Sequence, residues 1–484
     1  MNKPIRTVSV FCLLLFLALM INATVVQFFQ ASSLNDDPRN RRVAEASYSR
    51  ERGAILVDRE PVAESVPSND EYVYQRKYPS PLLYAPLTGY FAYTIASTGV
   101  EQAENDVLSG DDPRLFVPRL VDLFSNEDQQ GGSVELTIDP AAQQAAYDGL
   151  SDLGPGVEGS VVAIDPSTGG ILAMVSLPSY DPNQLASHEF GQVNRRYQEL
   201  ADDDSDPLIN RAINRRLFPG STFKVVTAAA ALENGVIDGP DDLVPGGDTF
   251  DVPQSSQVVQ NEGRDCGSGD IPLRQAMENS CNTSFAALAG EVGGEDMLAQ
   301  AEAFGFNSDY LDDLGPQVRS VFPDDLDPAE VTQTGFGQFE VQATPLQMAM
   351  VAAGIANDGV VMRPYVVDQV QSADYDAEET DPRQLSRAIS QDTAETLTDV
   401  MVSTVDDGTA FPAAIDGVAV AGKTGTAERG IEGEPPYGWF ISFAPAENPE
   451  VAVAVMIEEA PGQEIAGGAL GGPIAKSVME AVIQ

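Results

Sequence analysis

Three short clusters in this sequence carry hydroxyls and amines at spacings that permit nucleophilic chemistry. The first is Leu217-Phe-Pro219-Gly220-Ser221-Thr-Phe-Lys224, which leads into the apolar run Val225 to Leu232, broken only by Thr227. Pro219 and Gly220 predict a turn, and Gly235 sits where a helix would stop at its C′ position. Three residues apart, Ser221 and Lys224 share one face of the first turn. A helix apolar on every side is normally buried. Burial and the positive helix end would both lower the lysine pKa, leaving a neutral amine to accept the serine proton. A plain buried helix with an incidental serine is the alternative, and an isolated S-x-x-K does not decide between them.

The second cluster is Glu278-Asn-Ser280-Cys281-Asn282-Thr283. Ser280 offers a hydroxyl able to pass a proton and Asn282 an amide able to hold another amide. A polar helix-capping turn would use the same residues. The third is Ala421-Gly-Lys423-Thr424-Gly425-Thr426, preceded by Val418-Ala-Val420, which reads as a strand over Gly417 to Lys423. Gly425 would let a ligand backbone approach the strand closely. Lys423 adds a positive charge suited to a carboxylate, with Thr424 and Thr426 beside it. A strand-end turn with a solvated lysine is the bland alternative.

These clusters need a frame. Gly159 to Ile164 and Gly170 to Leu177 read as a hairpin joined at Asp165-Pro-Ser-Thr-Gly169, and Trp439 to Phe443 and Val451 to Ile457 as two late strands. With Gly417 to Lys423 these predict one antiparallel sheet, helices packed on it and helical sequence inserted between early and late strands. Asp139-Pro140 predicts the cap of an Ala-rich helix, Ala141 to Leu150, and Ile474 to Ile483 a closing helix. Upstream, residues 30 to 132 hold a short strand, Ala54 to Val57, and turn-rich stretches without a catalytic cluster.

Composition narrows the partners. The 484 residues include 74 acidic and 27 basic ones, for a net charge of −47, which argues against nucleic-acid binding. A heavily solvated surface or adaptation to high salt would both explain that balance. Only five lysines occur, and two of them, Lys224 and Lys423, fall in the clusters, where arginine could not lose its proton. His188 is the single histidine, so a His-rich metal site is excluded.

Lys3 and Arg6 precede an apolar run from Val8 to Val26, long enough to cross a bilayer. The basic flank orients the N-terminus to the cytoplasm and the rest outside. Asn22-Ala-Thr24 is a poor cleavage site, which favours a retained anchor over a signal peptide. Cys12 lies in the span, while Cys266 and Cys281 lie in the exported part. An oxidising compartment permits a Cys266–Cys281 disulfide, worth about 3 kcal/mol in the chain-entropy picture. Two unrelated buried thiols are the alternative.

The order S-x-x-K, S-x-N and K-T-G at 221, 280 and 423 is the three-part signature of penicillin-binding proteins and class A β-lactamases. The sequence resembles the penicillin-binding transpeptidases, more closely the monofunctional class B enzymes, and among these the actinobacterial A-type. Arg52-Gly53 through Asp58-Arg59, Pro86 to Tyr90, Asp181-Pro-Asn183, Gly337-Gln338, Ala343 to Ala349, Asp407 to Ala410 and Trp439-Phe440 match as well. Cys281 stands where many members carry Asp.

The resemblance implies an α+β fold of the penicillin-binding/serine β-lactamase-like type: a five-stranded antiparallel sheet with helices on both faces and a helical subdomain. It divides the chain into a cytoplasmic tail (1–7), a transmembrane anchor (8–29), an extended dimerisation or pedestal module (30–132) and a transpeptidase domain (133–484). By the same resemblance, Ser221 is acylated, Lys224 takes its proton, Ser280 relays a proton to the leaving amine and Asn282 holds the peptide. Lys423 with Thr424, Gly425 and Thr426 holds the terminal carboxylate, and the N–H groups of Ser221 and Thr426 form the oxyanion hole. The implied substrate is a peptidoglycan stem ending in D-Ala-D-Ala, with an amine of a neighbouring stem as acceptor. β-Lactams would acylate the same serine. A membrane lipid II polymerase of the SEDS type is the implied partner, and no metal or organic cofactor is implied. Water as acceptor would make the protein a DD-carboxypeptidase or serine β-lactamase instead. A penicillin-binding sensor without turnover is the remaining alternative.

Overall fold

The structure, a computed structural model, describes residues 2–30, 48–112, 130–371, 377–431 and 433–483. Parts of the expected 30–132 module, residues 31–47 and 113–129, lie outside the described residues. The apolar N-terminal run forms helix α1 (Asn2–Thr24), continued by a π-turn, Val25–Phe29. From Lys3 to Gln27 it is long and apolar enough to cross a membrane, and its apolar stretch is not buried against other described residues. At 1.5 Å per residue that span covers about 37 Å, more than the hydrocarbon core of a bilayer.

The region that carries the three clusters is built on a five-stranded antiparallel sheet. Helix α2 (Pro140–Ser151) precedes strands β1 (Glu158–Ile164) and β2 (Ile171–Leu177). Far along the chain come β3 (Ala421–Ala427), β4 (Tyr437–Ala444) and β5 (Val451–Glu459). The spatial order is β3-β4-β5-β1-β2, every pair antiparallel. The central strands read as nearly continuous apolar runs because helices cover both faces. On one face lie α2 and the closing helix (Gly472–Ile483); on the other, the helix Pro345–Ala356 and the inserted helical layer.

The sheet corrects one expectation. The strand read over Gly417 to Lys423 begins at Ala421 and runs through the whole third cluster to Ala427. Val418 pairs only with Ile415 in a local bridge. Lys423, Thr424 and Gly425 lie opposite Ile441, Phe440 and Trp439, so the partner strand's apolar length sets the register, not the Val418–Val420 run. The third cluster is thus an edge strand, with one side open.

A second sheet has six strands in the order Ala377–Glu379, Val367–Gln371, Ser133–Leu136, Ile55–Val57, Glu60–Pro67, Tyr74–Lys77. It draws strands from both sides of residue 133, and Ser133–Leu136 runs parallel to Ile55–Val57. Beside it Glu101, wholly buried, accepts from Arg52 Nε and Arg76 Nε at 2.6 Å each and from the Tyr78 hydroxyl at 3.1 Å. The Arg52 guanidinium also lies 4.3 Å from the centre of the Phe91 ring.

Candidate active site

Gly220 adopts φ +53 and opens a 3₁₀ turn, Gly220–Phe223, that runs directly into helix α3 (Lys224–Glu233). Ser221 therefore sits on the turn and Lys224 on the first helical residue, while Gly235 ends the helix region at φ +67. All residues from Val225 to Ala231 are buried. The second cluster spans a tight turn and the start of helix α4 (Asn282–Val292), with Ser280 at φ +55. The capping role falls to Asn261, whose Oδ1 accepts from Thr283 N at 3.1 Å. This removes the capping-turn reading of Ser280 and Asn282.

The three clusters meet. Lys224 Nζ lies 2.7 Å from the Ser280 carbonyl oxygen, 2.7 Å from Asn282 Oδ1 and 3.2 Å from Ser280 Oγ. Lys423 Nζ reaches the same Ser280 Oγ at 2.9 Å and the Thr424 carbonyl at 2.9 Å. One hydroxyl is thus shared by two amines, both fully buried. Burial, reinforced by Lys423 and Arg264, holds the Lys224 pKa well below its ordinary value. Burial, reinforced by Arg264, does the same to Lys423. Both shifts favour neutral amines, the form that can accept a proton.

The expected Ser221–Lys224 hydrogen bond is not among those of Lys224 within the described residues, which go to Ser280 and Asn282. Two oxygens of that cluster offer a buried amine better partners than a single hydroxyl at the cleft wall, and such catalytic contacts tighten when substrate is present. Ser221 instead lines an open cleft of about 480 Å³ with Asn282, Thr426, Glu428, Gln260 and Phe336.

The third cluster divides its work. Lys423 points inward, Thr426 lines the cleft beside Ser221, and Thr424 turns its hydroxyl to Thr409 Oγ1 at 3.0 Å. A Cβ on Gly425 would stand 3.0 Å from Pro219 O and from Thr222 Cγ2, so what approaches this strand is the chain's own Ser221 turn. Cys266 and Cys281 form a disulfide, so Cys281 tethers the second cluster.

Sequence reasoning missed Arg264 and Asn261 as neighbours of the site, because no local pattern marks them, and it marks Thr409 only as part of the Asp407 to Ala410 family match. Gly337 had been noted only as a family match. It adopts φ +70, its carbonyl accepts from Gly220 N at 3.1 Å, and a Cβ there would fall 2.2 Å from Gly220 O. Gly337→Ala should displace the Ser221 turn and slow acylation by about 10²-fold, since a shift near 1 Å costs that much. Stopped-flow acylation beside a thermal melt would check it; an unchanged rate would refute it.

A serine on a helix-leading turn, a buried amine pair and an Asn amide around one cleft define a serine acyl-transfer enzyme. The chain belongs to the penicillin-binding protein transpeptidase family. Residues 159–480 match the penicillin binding protein transpeptidase domain and residues 52–134 the penicillin binding protein A dimerisation domain. The peptidoglycan D,D-transpeptidase PbpA of Mycolicibacterium smegmatis is 43% identical, over 100% of this chain and 99% of its own. PbpA of Mycobacterium tuberculosis is 42% identical, over 100% and 99%. Penicillin-binding protein A from M. tuberculosis, solved as a ceftriaxone acyl-enzyme, superposes with a TM-score of 0.86 at 41% identity, covering 91% of this chain and 100% of that one. The penicillin G acyl-enzyme of the same protein gives a TM-score of 0.83 at 40% identity, over 90% and 100%.

Proposed function

We propose that this protein is a membrane-anchored D,D-transpeptidase that cross-links peptidoglycan stem peptides through an acyl-enzyme on Ser221 and is inactivated by β-lactams. The observation that carries this is the Ser280 hydroxyl held between the buried amines of Lys224 and Lys423, at the wall of the cleft that Ser221 lines.

In this reading neutral Lys224 takes the Ser221 proton as the oxygen attacks the carbonyl of the penultimate D-alanine. The tetrahedral oxyanion sits between the N–H groups of Ser221 and Thr426, donors worth roughly 3 kcal/mol each in such holes. Ser280, in contact with both amines, hands a proton to the departing D-alanine nitrogen. Asn282 holds the peptide amide, and Lys423, Thr424 and Thr426 hold the terminal carboxylate, with Gly425 keeping the strand close to the Ser221 turn. An amine of a neighbouring stem then attacks the ester, and the serine recovers its proton.

In the same reading residues 1–7 are the cytoplasmic tail, 8–29 (the rest of α1 with the π-turn after it) a single-pass anchor, 30–132 a pedestal or dimerisation module, and 133–484 the extracytoplasmic transpeptidase domain. The basic residues Lys3 and Arg6 ahead of the span support that orientation. A membrane lipid II polymerase of the SEDS type is the proposed partner, as the class B resemblance implies.

Intact mass after incubation with penicillin G tests the reading. The full chain in detergent should gain the mass of one intact drug molecule, and Ser221→Ala should gain nothing. Adduct on the Ala variant would refute the site. Rapid release of hydrolysed drug would favour the β-lactamase or carboxypeptidase reading.

A further inference from the structure

The segment Gln260 to Cys266 runs alongside the second cluster and is fastened to it repeatedly. Asn282 Nδ2 donates to Gln260 O at 3.0 Å, and Asn261 Nδ2 donates to Thr283 Oγ1 at 3.0 Å. Asn279 Nδ2 donates to Asp265 O at 2.8 Å, and the Cys266–Cys281 disulfide closes the far end. Between these ties, Arg264 Nη1 donates to the Ser280 carbonyl at 3.2 Å, the same oxygen that Lys224 Nζ reaches at 2.7 Å. Ser280 itself stands at φ +55, a left-handed conformation unfavourable for a non-glycine residue that persists only where surroundings enforce it.

We propose that Arg264 is a positioning residue for acylation: its guanidinium, anchored through the Cys266–Cys281 cross-link, holds the Ser280 carbonyl in its left-handed setting and keeps a permanent positive charge beside both active-site amines. The inference rests on the transpeptidase reading and adds a residue to it. Arginine suits the task because it cannot deprotonate, so its field does not fade as pH rises. The charged groups acting on Lys224 are Lys423 on β3 and Arg264 and Glu262 on the fastened segment. Glu262 opposes the two cations but is itself paired with Arg264 at 3.2 Å. After burial, Arg264 contributes to the lowering at both lysines. Removing its charge makes protonated Lys224 easier to keep, so the base is neutral only at higher pH.

The test is the rate of acylation by a fluorescent penicillin as a function of pH, on the full chain in detergent. Arg264→Gln should move the acidic limb of the profile upward by about 0.5–1 pH unit, with little change on the alkaline plateau. Arg264→Lys keeps the charge but loses the planar fork, and its limb should stay near the wild-type position. Dithiothreitol, by freeing the segment, should shift the wild-type limb in the same direction as Arg264→Gln. A limb displaced in the Gln variant and restored in the Lys variant supports the proposal. A rate that falls equally at every pH, or a limb displaced equally in both variants, overturns it and leaves Arg264 a structural residue. If the Gln variant does not fold, the Lys variant and the reduced wild type decide by the same criterion. Wild-type protein that takes up no penicillin would overturn the transpeptidase reading, and this inference with it.

Discussion

Lys224→Met should lower the second-order rate of acylation by about 10³-fold, the middle of the range for a positioned general base. The methionine chain has the length and apolar body to fill a site with no solvent exposure, so the packing of the first turn of α3 survives. What disappears is the proton acceptor proposed for Ser221. Lys423 cannot substitute, because its amine is committed to Ser280 Oγ and the Thr424 carbonyl on the far side of that hydroxyl. Asn282 Oδ1 loses its Lys224 partner, at about 1–3 kcal/mol for an unsatisfied buried group, while the Ser280 carbonyl keeps Arg264 Nη1, so some loss of thermal stability accompanies the kinetic effect. The wild-type profile has a matching signature. Because the Lys224 pKa is held low, chiefly by burial, acylation should rise as pH climbs through that lowered value and level off well below the ordinary lysine range. Acylation of the Met variant within tenfold of wild type would remove Lys224 from the role of base.

The second large effect is on stability. Glu101→Gln should cost about 3–5 kcal/mol, the usual result of removing one member of a buried ionic group. Burial alone would raise the Glu101 pKa, but Arg76 and Arg52 outweigh it and hold the carboxyl below its usual range. Neutralising it leaves two buried guanidinium groups facing each other without a counter-charge. The sign with pH follows. The stabilisation is fully present above the ordinary carboxylate pKa and is lost as pH falls through the depressed folded value. Urea unfolding of wild type and variant at neutral and acidic pH measures it. Equal midpoints at neutral pH would contradict the prediction, and β-lactam acylation of the folded variant should be unchanged, since Glu101 lies outside the cleft.

Much of the catalytic frame was legible because its signals are local. A hairpin at Asp165–Gly169, a proline-led helix after Asp139 and an apolar run ended by Gly235 are read from neighbours in sequence, and each appears within a residue or two. The edge strand was misplaced because Val418 to Val420 has strand-like composition, whereas its register comes from β4, residues away in the chain. Ser221, Lys224, Ser280, Asn282 and Lys423 were found through motif order, yet the sharing of the Ser280 hydroxyl by two amines depends on tertiary approach alone. Arg264 and Asn261 were invisible for the same reason: nothing nearby in sequence shows that their segment lies against the Ser280 turn. The six-stranded sheet was missed most fully, since two of its strands arise more than two hundred residues after the others.

That sheet bears on how the two halves of the molecule relate. Ser133–Leu136 is an interior strand, flanked by Ile55–Val57 on one side and Val367–Gln371 on the other. Cutting the chain just ahead of Ser133 would strip one neighbour from it and lay bare a row of unpaired amides and carbonyls, an invitation to intermolecular pairing. The catalytic portion and its base are therefore woven together rather than strung in series. A force applied to the Ile55–Val57 side would reach the Ser133–Leu136 side through a shared hydrogen-bonded ladder.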